Sequence, residues 1–415
     1  MQFLHNLSSP MRQYLLVTGN YWAFTLTDGA LRMLVLLHFH QLGYNPLQIA
    51  LLFLFYEFFG VVTNLVGGWL GARIGLNRTM NLGLALQVVA LSMLLVPSQY
   101  LSVPLVMAAQ ALSGIAKDLN KMSAKSSIKL LVPDQASGAL YRWIALLTGS
   151  KNALKGLGFF LGGALLAALG FQGAIASMAI ALGIVWLISL KYLKQDLGKA
   201  KAKSPFKDVF SKSPAVNILS AARLLLFASR DVWFVIALPV FLASQFNWDH
   251  WQVGAFLASW VIGYGIVQTQ APMFTTTRSS LPPDGRAALF WAIALATVPV
   301  LIAIALFKGV APQIAVLGGL LIFAVIFAVN SSLHSYLIVA YAREDGVSMD
   351  VGFYYMANAT GRLLGTLLSG WVFQTKGLEA CLLISSAFIL LAALVSLGLP
   401  KHKSSSQEVG SLSRS

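Results

Sequence analysis

Charge is scarce in this 415-residue chain: Asp, Glu, Lys and Arg make up 10% of it, against 57% hydrophobic residues. A soluble globular chain is excluded, because such chains are about one-quarter charged. Acids are scarcer than bases, with 14 Asp and Glu against 29 Lys and Arg, a net charge of +15. That excess does not indicate nucleic acid, since the bases are not gathered on a soluble domain. Cysteine is nearly absent. With Cys381 alone, no intramolecular disulfide and no thiolate cluster for a soft metal can form within one chain. Cys381 reads as a small packing residue.

Other absences narrow the class. The short alternating segments of a membrane β-barrel are missing, and the apolar runs are long and continuous. No cleavable leader pattern precedes the run from Tyr14, which is too long and lacks an A-x-A site, so it is expected to stay as the first span. The six histidines make no HExxH, and neither a GxSxG elbow nor a GxxxxGK[ST] loop occurs. A membrane-embedded lipid-modifying enzyme, the alternative from another functional class, therefore lacks a nucleophile–base or metal constellation. No cofactor or metal is expected.

What the chain has is twelve apolar segments of spanning length, at roughly 14–40, 46–71, 79–97, 103–131, 139–169, 172–193, 214–244, 250–276, 286–308, 312–342, 348–374 and 377–399. They predict an all-α membrane protein with a six-helix bundle over 1–193, a basic linker over 194–213, a second bundle over 214–400 and a tail over 401–415. The linker's lysines and the even span count put the linker and both termini in the cytoplasm, across a plasma (inner) membrane. Arg73, Arg78, Arg278, Arg286 and Arg343 fall on that same side, while the opposite loops carry only Lys308 and Lys376 as bases.

The halves look related. Asp28 of span 1 matches Asp231 of span 7, and the turn ending in Gln48 matches the one ending in Gln252, 204 residues later. In span 5, Lys155-x-x-Gly158-x-x-x-Gly162-Gly163 parallels Arg362-x-x-Gly365-x-x-x-Ser369-Gly370 of span 11, at an offset of 207. Near-constant offsets predict two parallel six-helix repeats.

Lysines recur every four residues at 117, 121, 125 and 129 inside a membrane span, which places them on one slowly rotating helix face. A Lys or Arg at the bilayer centre costs roughly 2.5–3.5 kcal/mol even on lenient scales, so it usually faces a bundle interior or a water-filled cavity. At ~1.5 Å rise per residue, Asp28, Lys117, Lys155, Arg230 and Arg362 all lie about 20–24 Å from the start of their spans. Lys125 and Lys129 should approach the cytoplasmic face, where snorkelling accounts for them.

Nine bases lie within spans (Arg32, Lys117, Lys121, Lys125, Lys151, Lys155, Arg223, Arg230, Arg362) with four acids (Asp28, Glu57, Asp118, Asp231). Spans 3, 6, 9 and 12 have essentially none. Asp28 with Arg32 and Asp118 with Lys121 have helical pair spacing, yet bases outnumber acids, and a dry core would not tolerate the excess. Every third helix is then peripheral and the rest surround a cavity, the pattern of a major facilitator superfamily transporter. Arg32, Lys117, Lys121, Lys151, Lys155, Arg230 and Arg362 are the candidate binders of an anionic substrate; Asp28, Glu57, Asp118 and Asp231 are candidate coupling or charge-pairing groups. His38 and His40 read as interfacial, and His334 as a cavity polar residue.

The loop Gly68-Trp-Leu-Gly-Ala72-Arg73-Ile-Gly75 resembles the superfamily's gating motif G-x-x-x-D-[RK]-x-G, with Ala72 in place of the acid. Longer strings, YWAFTLTDGALRMLVLLHFHQLGY at 21–44, LFYEFFGVVTNLVGGWLGAR at 54–73, SGIAKDLNKMSAKSSIKLL at 113–131, LYRWIALLTGSKNALKGLGFFLGG at 140–163 and MANATGRLLGTLLSGW at 356–371, resemble the ArsJ-type organoarsenical efflux permeases. That resemblance implies export of 1-arseno-3-phosphoglycerate, made when glyceraldehyde-3-phosphate dehydrogenase accepts arsenate, and hence arsenate resistance with that enzyme as functional partner. Two hard oxyanions suit Arg forks and Lys point charges; the soft thiolates expected for trivalent arsenic are missing. An organophosphate or drug antiporter of another branch is the alternative. Drug exporters more often use acidic and aromatic cavities, which the positive excess disfavours.

Overall fold

A computed structural model describes residues 9–43, 52–132, 137–193, 197–199, 212–248, 250–275 and 283–400. The turn containing Gln48, the side chains of His40 and Glu57, Arg278, most of the basic linker and the tail lie outside the described residues. The first helices are α1 (Ser9–Gln41), α2 (Leu54–Ile74), α3 (Leu76–Met93) and α4 (Val103–Leu131). The run Ser137–Tyr192 divides at Gly170 into α5 (137–169) and α6 (171–192). Then come α7 (Pro214–Phe246, interrupted at residues 235–236), α8 (His250–Thr275), α9 (Gly285–Phe307) and α10 (Ile314–Tyr341). Val347–Ser396 divides at Gly377 into α11 (347–376) and α12 (378–396).

The architecture is all-α, twelve membrane helices in two parallel six-helix repeats. Helices are what an apolar solvent permits, since each backbone N–H and C=O must be satisfied within its own segment. Breaks fall where the sequence supplies them. Gly170 and Gly377 adopt φ of 66° and 79°, values that residues with a Cβ avoid, and they stand 207 residues apart, the offset of the span 5 and span 11 motif. Pro214 follows Ser213, whose hydroxyl accepts from Val216 N at 3.3 Å, and Asp284 caps α9 by accepting from Arg286 N at 2.9 Å.

Polarity is arranged inside out. Among the described helices, five runs covering α5–α6, α7, α9, α10 and α11–α12 are long and apolar enough to cross a membrane. The others fall short because their polar residues turn inward: α1 buries Asn20, Thr25 and Asp28, and α4 buries Gln110, Asp118, Asn120 and Lys125. Large apolar side chains such as Ile180, Phe290, Leu301 and Trp371 are exposed instead, as suits lipid contact. The helices α3 and α9 pack against helices of their own half.

Repeat symmetry is visible in the packing. A Cβ on Gly158 would stand 2.7 Å from the Leu26 carbonyl of α1, and one on Gly365 would stand 2.7 Å from the Ala228 carbonyl of α7. Small residues thus bring α5 onto α1 and α11 onto α7. Each half thereby fixes one carboxylate-bearing helix, α1 or α7, against one base-bearing helix, α5 or α11.

Candidate functional site

Asp28 is buried on α1, and its two oxygens accept from the Tyr56 hydroxyl of α2 at 2.8 and 2.9 Å. The Tyr56 ring carries two cations, Arg32 with Cζ 4.0 Å from the centroid and Lys117 with Nζ 3.8 Å from it. Spacing had suggested Arg32 as the partner of Asp28; the structure sets Tyr56 between carboxylate and cations. On α4, Asp118 accepts from Lys121 at 2.5 Å, with Lys117 3.9 Å away, so the i,i+3 spacing is used as read. Desolvated cation–π contacts are worth about 2 kcal/mol, so the Tyr56 ring helps to hold both cations in place.

The second half repeats the theme with Arg in place of Lys. Asp231 of α7 is fully buried; its Oδ1 lies 2.5 Å from Arg230 Nη2 and its Oδ2 accepts from Arg362 Nε of α11 at 3.2 Å. Both oxygens are occupied, so Asp231 orients two guanidinium groups. Arg362 in turn lies within electrostatic reach of Lys121, Lys151 and Lys155 from the first half. All seven predicted cations therefore meet in one region, and all are partly exposed.

Two of them make no direct ion pair among the described residues, although Asp28 lies within electrostatic reach of both. Among the described residues, Lys151 hydrogen-bonds the Asn152 side chain, at 3.2 Å, and Lys155 makes no hydrogen bond or direct ion pair. Glu57 lies on α2, but its side chain is outside the described residues. Asn152 also donates to Gln268 of α8 at 2.6 Å, and Gln268 donates to Ser331 of α10 at 3.2 Å. This amide bridge between halves was missed, since isolated Asn and Gln in apolar helices carry no spacing signal.

Other cations are held in contacts between helices. Arg223 donates to Asn358 Oδ1 at 2.8 Å and to Ser331 Oγ at 3.0 Å, and it lies 3.9 Å over the Phe227 ring. Lys125 is only 3% exposed, and Lys129 donates to the carbonyls of Ala340 and Ala342 on α10 and just beyond it. Snorkelling is thus corrected: both lysines reach across to the other half. His334 is buried at 1% exposure, in the core of α10 and not open to the cavity. His38 stacks on Phe171, centroids 4.1 Å apart, a packing role.

The halves are closed together at the end where the linker attaches. There Tyr141 hydrogen-bonds Thr275 at 2.8 Å and packs on Tyr336. A Cβ on Gly68 would stand 2.6 Å from the Ser348 carbonyl of α11, so α2 and α11 cross in close contact. Ala72, at the acid position of the loop motif, packs with Leu65 and Trp69 on Met349. Gly75 makes the turn at φ 100° and Arg73 lies 5.0 Å over Trp69. The charge of this region sits on Asp350, with Lys212 at 3.0 Å and Arg343 at 3.5 Å. These contacts hold the two halves together at this end.

A direct check is thiol accessibility. Cysteine placed singly at Lys117, Lys121, Lys151, Lys155, Arg230 and Arg362, in a Cys381→Ser background, should react with small water-soluble reagents from the side opposite the linker. Protection of most positions from both sides would instead describe a dry salt-bridged core.

Comparison with known proteins follows the same lines. A sequence profile described as the Major Facilitator Superfamily matches residues 15–268. The fold is similar to the human organic anion transporter MFSD10 (TETRAN), at TM-score 0.72 and 16% identity over 94% of this chain and 100% of that one. A bacterial homologue of the iron transporter ferroportin in an outward-facing state gives 0.72 at 15% identity, over 92% of this chain and 98% of that one. The E. coli fucose:proton symporter gives 0.70 at 12% identity, over 93% and 98%. Among curated proteins no sequence matches.

Proposed function

The chain belongs to the major facilitator superfamily, and on that premise we propose that it exports an anionic organoarsenical, 1-arseno-3-phosphoglycerate, by alternating access. The observation that carries this reading is the pair Lys151 and Lys155, partly exposed and without direct carboxylate contact among the described residues. They sit in a cluster of seven cations with three described carboxylates, Asp28, Asp118 and Asp231. Unpaired cations inside a membrane protein need water or a counter-anion. A substrate with an oxyanion at each end could take Lys groups of the first half at one end and the Arg230–Arg362 pair at the other.

In this reading the linker and both termini are cytoplasmic, the membrane is the inner membrane, and the conformation described is the one that releases substrate outward. Glyceraldehyde-3-phosphate dehydrogenase supplies the ester as a functional partner. The test is an arsenate-sensitive host carrying the dehydrogenase with and without this chain. Resistance is expected only with both. Equal protection by the chain alone would mean direct arsenate export, and no protection despite membrane expression would discard the organoarsenical.

A further inference from the structure

Lys125 and Lys129 are the two rungs of the lysine ladder that the cavity does not use. Lys125 donates to Ser335 Oγ at 3.4 Å and lies 5.0 Å over the Tyr355 ring. Lys129 donates to Ala340 O at 3.3 Å and to Ala342 O. The ladder belongs to α4, whereas these partners belong to α10, α11 and the turn between them, so the lower rungs bind one half of the chain to the other. Tyr355 also takes Lys121 on its ring at 4.6 Å. That ring stands where the cavity rungs give way to those held in the seam.

Lys125 has neutral partners, and Lys129 donates to backbone carbonyls. Lys125 has one hydroxyl and one aromatic face, and no carboxylate among the described residues. A hydrogen bond to a charged acceptor is roughly twice as strong as one to a neutral acceptor. An oxyanion reaching Lys125 would therefore displace a hydroxyl. Successive rungs are about 6 Å apart along the helix, so an anion held at the lower pair is one step from Lys121.

Resting on the anion-export reading, we propose that Lys125 and Lys129 form a second oxyanion site, latent in this conformation and exposed on the linker side when α10 and α11 withdraw. The closed seam and the arriving anion compete for the same donors. A ligand moves a conformational equilibrium only through its differential affinity for the two states, and here the open state alone offers the ammonium groups. The incoming phosphate- or arsenate-type anion thus favours opening of the linker end, and the ladder then passes it upward to Lys121 and Lys117.

The test uses the full chain in lipid nanodiscs with Cys381→Ser and Ser348→Cys. Ser348 is 2% exposed and lies under Gly68 and Gly71 in the α2–α11 seam. The probe is 3-phosphoglycerate, with inorganic phosphate as the minimal oxyanion and glycerol as the neutral control. Both anions should speed labelling of Ser348→Cys several-fold over glycerol. Lys129→Gln and Lys125→Gln should label fast without anion and lose the response. Tyr355→Phe should behave as the parent, while Tyr355→Leu labels faster. If Lys125→Gln does not fold, the partly exposed Lys129 carries the comparison. Anions that fail to speed labelling in the parent, or speed it equally in the Gln variants, overturn the site. Organoarsenical uptake by everted vesicles judges the export reading separately: uptake without a labelling response discards the latent site alone, and a labelling response without uptake discards the export reading alone.

Discussion

Lys155→Gln is expected to raise the half-saturating concentration for anion export about 10- to 100-fold while leaving the protein as stable as the parent. The magnitude follows from a charge-assisted hydrogen bond of about 1.5–3 kcal/mol, at about 1.4 kcal/mol per tenfold in affinity. The stability expectation follows from geometry. Lys155 makes no hydrogen bond or direct ion pair among the described residues, and Asp28, the carboxylate within its electrostatic reach, keeps both hydrogen bonds from Tyr56 without it. Arg362→Gln is the contrasting case, because it takes one of two guanidinium partners from fully buried Asp231, and losing a partner of a buried pair is strongly destabilising. Arg362→Lys keeps the charge but loses the fork, and it should impair export at an intermediate level. Initial rates in everted vesicles and melting temperatures in detergent read the two effects apart. A Lys155→Gln protein that melts early yet exports with unchanged affinity would mean that the cation is a structural lock.

Much of this was legible before any coordinates, and the reason is the solvent. Lipid forces the backbone into helices, so apolar run length nearly fixes the spans, and α4 falls on 103–131 as read. Charge depth works for the same reason: a base in mid-membrane must face inward, which gathered Lys117, Lys155, Arg230 and Arg362 from four helices. What could not be read was which neutral groups receive those charges. Tyr56, Tyr355 and Phe227 each carry two cations, and an aromatic residue in an apolar helix looks like ordinary packing. Asp350 was missed because it begins a span, where an acid needs no explanation, and its partner Lys212 ends the linker. Lys125 and Lys129 were misread because snorkelling and reaching across a seam use the same long side chain; only the neighbouring helix distinguishes them.

The largest loss of transport is expected from a side chain placed at the crossings that hold the linker end shut. Two such crossings join the halves among the described residues. At one, a Cβ on Gly352 of α11 would stand 2.5 Å from the Asn64 carbonyl and 2.9 Å from Gly68 Cα on α2. At the other, a Cβ on Gly265 of α8 would stand 2.5 Å from Ala153 N and 2.6 Å from the Gly149 carbonyl on α5. The obstacles are backbone atoms, which cannot swing aside, and repeat symmetry exchanges α2 with α8 and α5 with α11. Overpacking of this kind costs about 1–3 kcal/mol, which depletes the closed state roughly 5- to 150-fold. Gly352→Ala should therefore slow export and Gly352→Val should nearly abolish it, with Ser348→Cys labelled faster in both and cysteine at position 155 labelled more slowly from the opposite side. Because both crossings close in one movement, Gly265→Ala added to Gly352→Val should change little further. Full transport by Gly352→Val, with Ser348→Cys still protected, would show that the α2–α11 crossing is static packing and that the halves rock about some other seam.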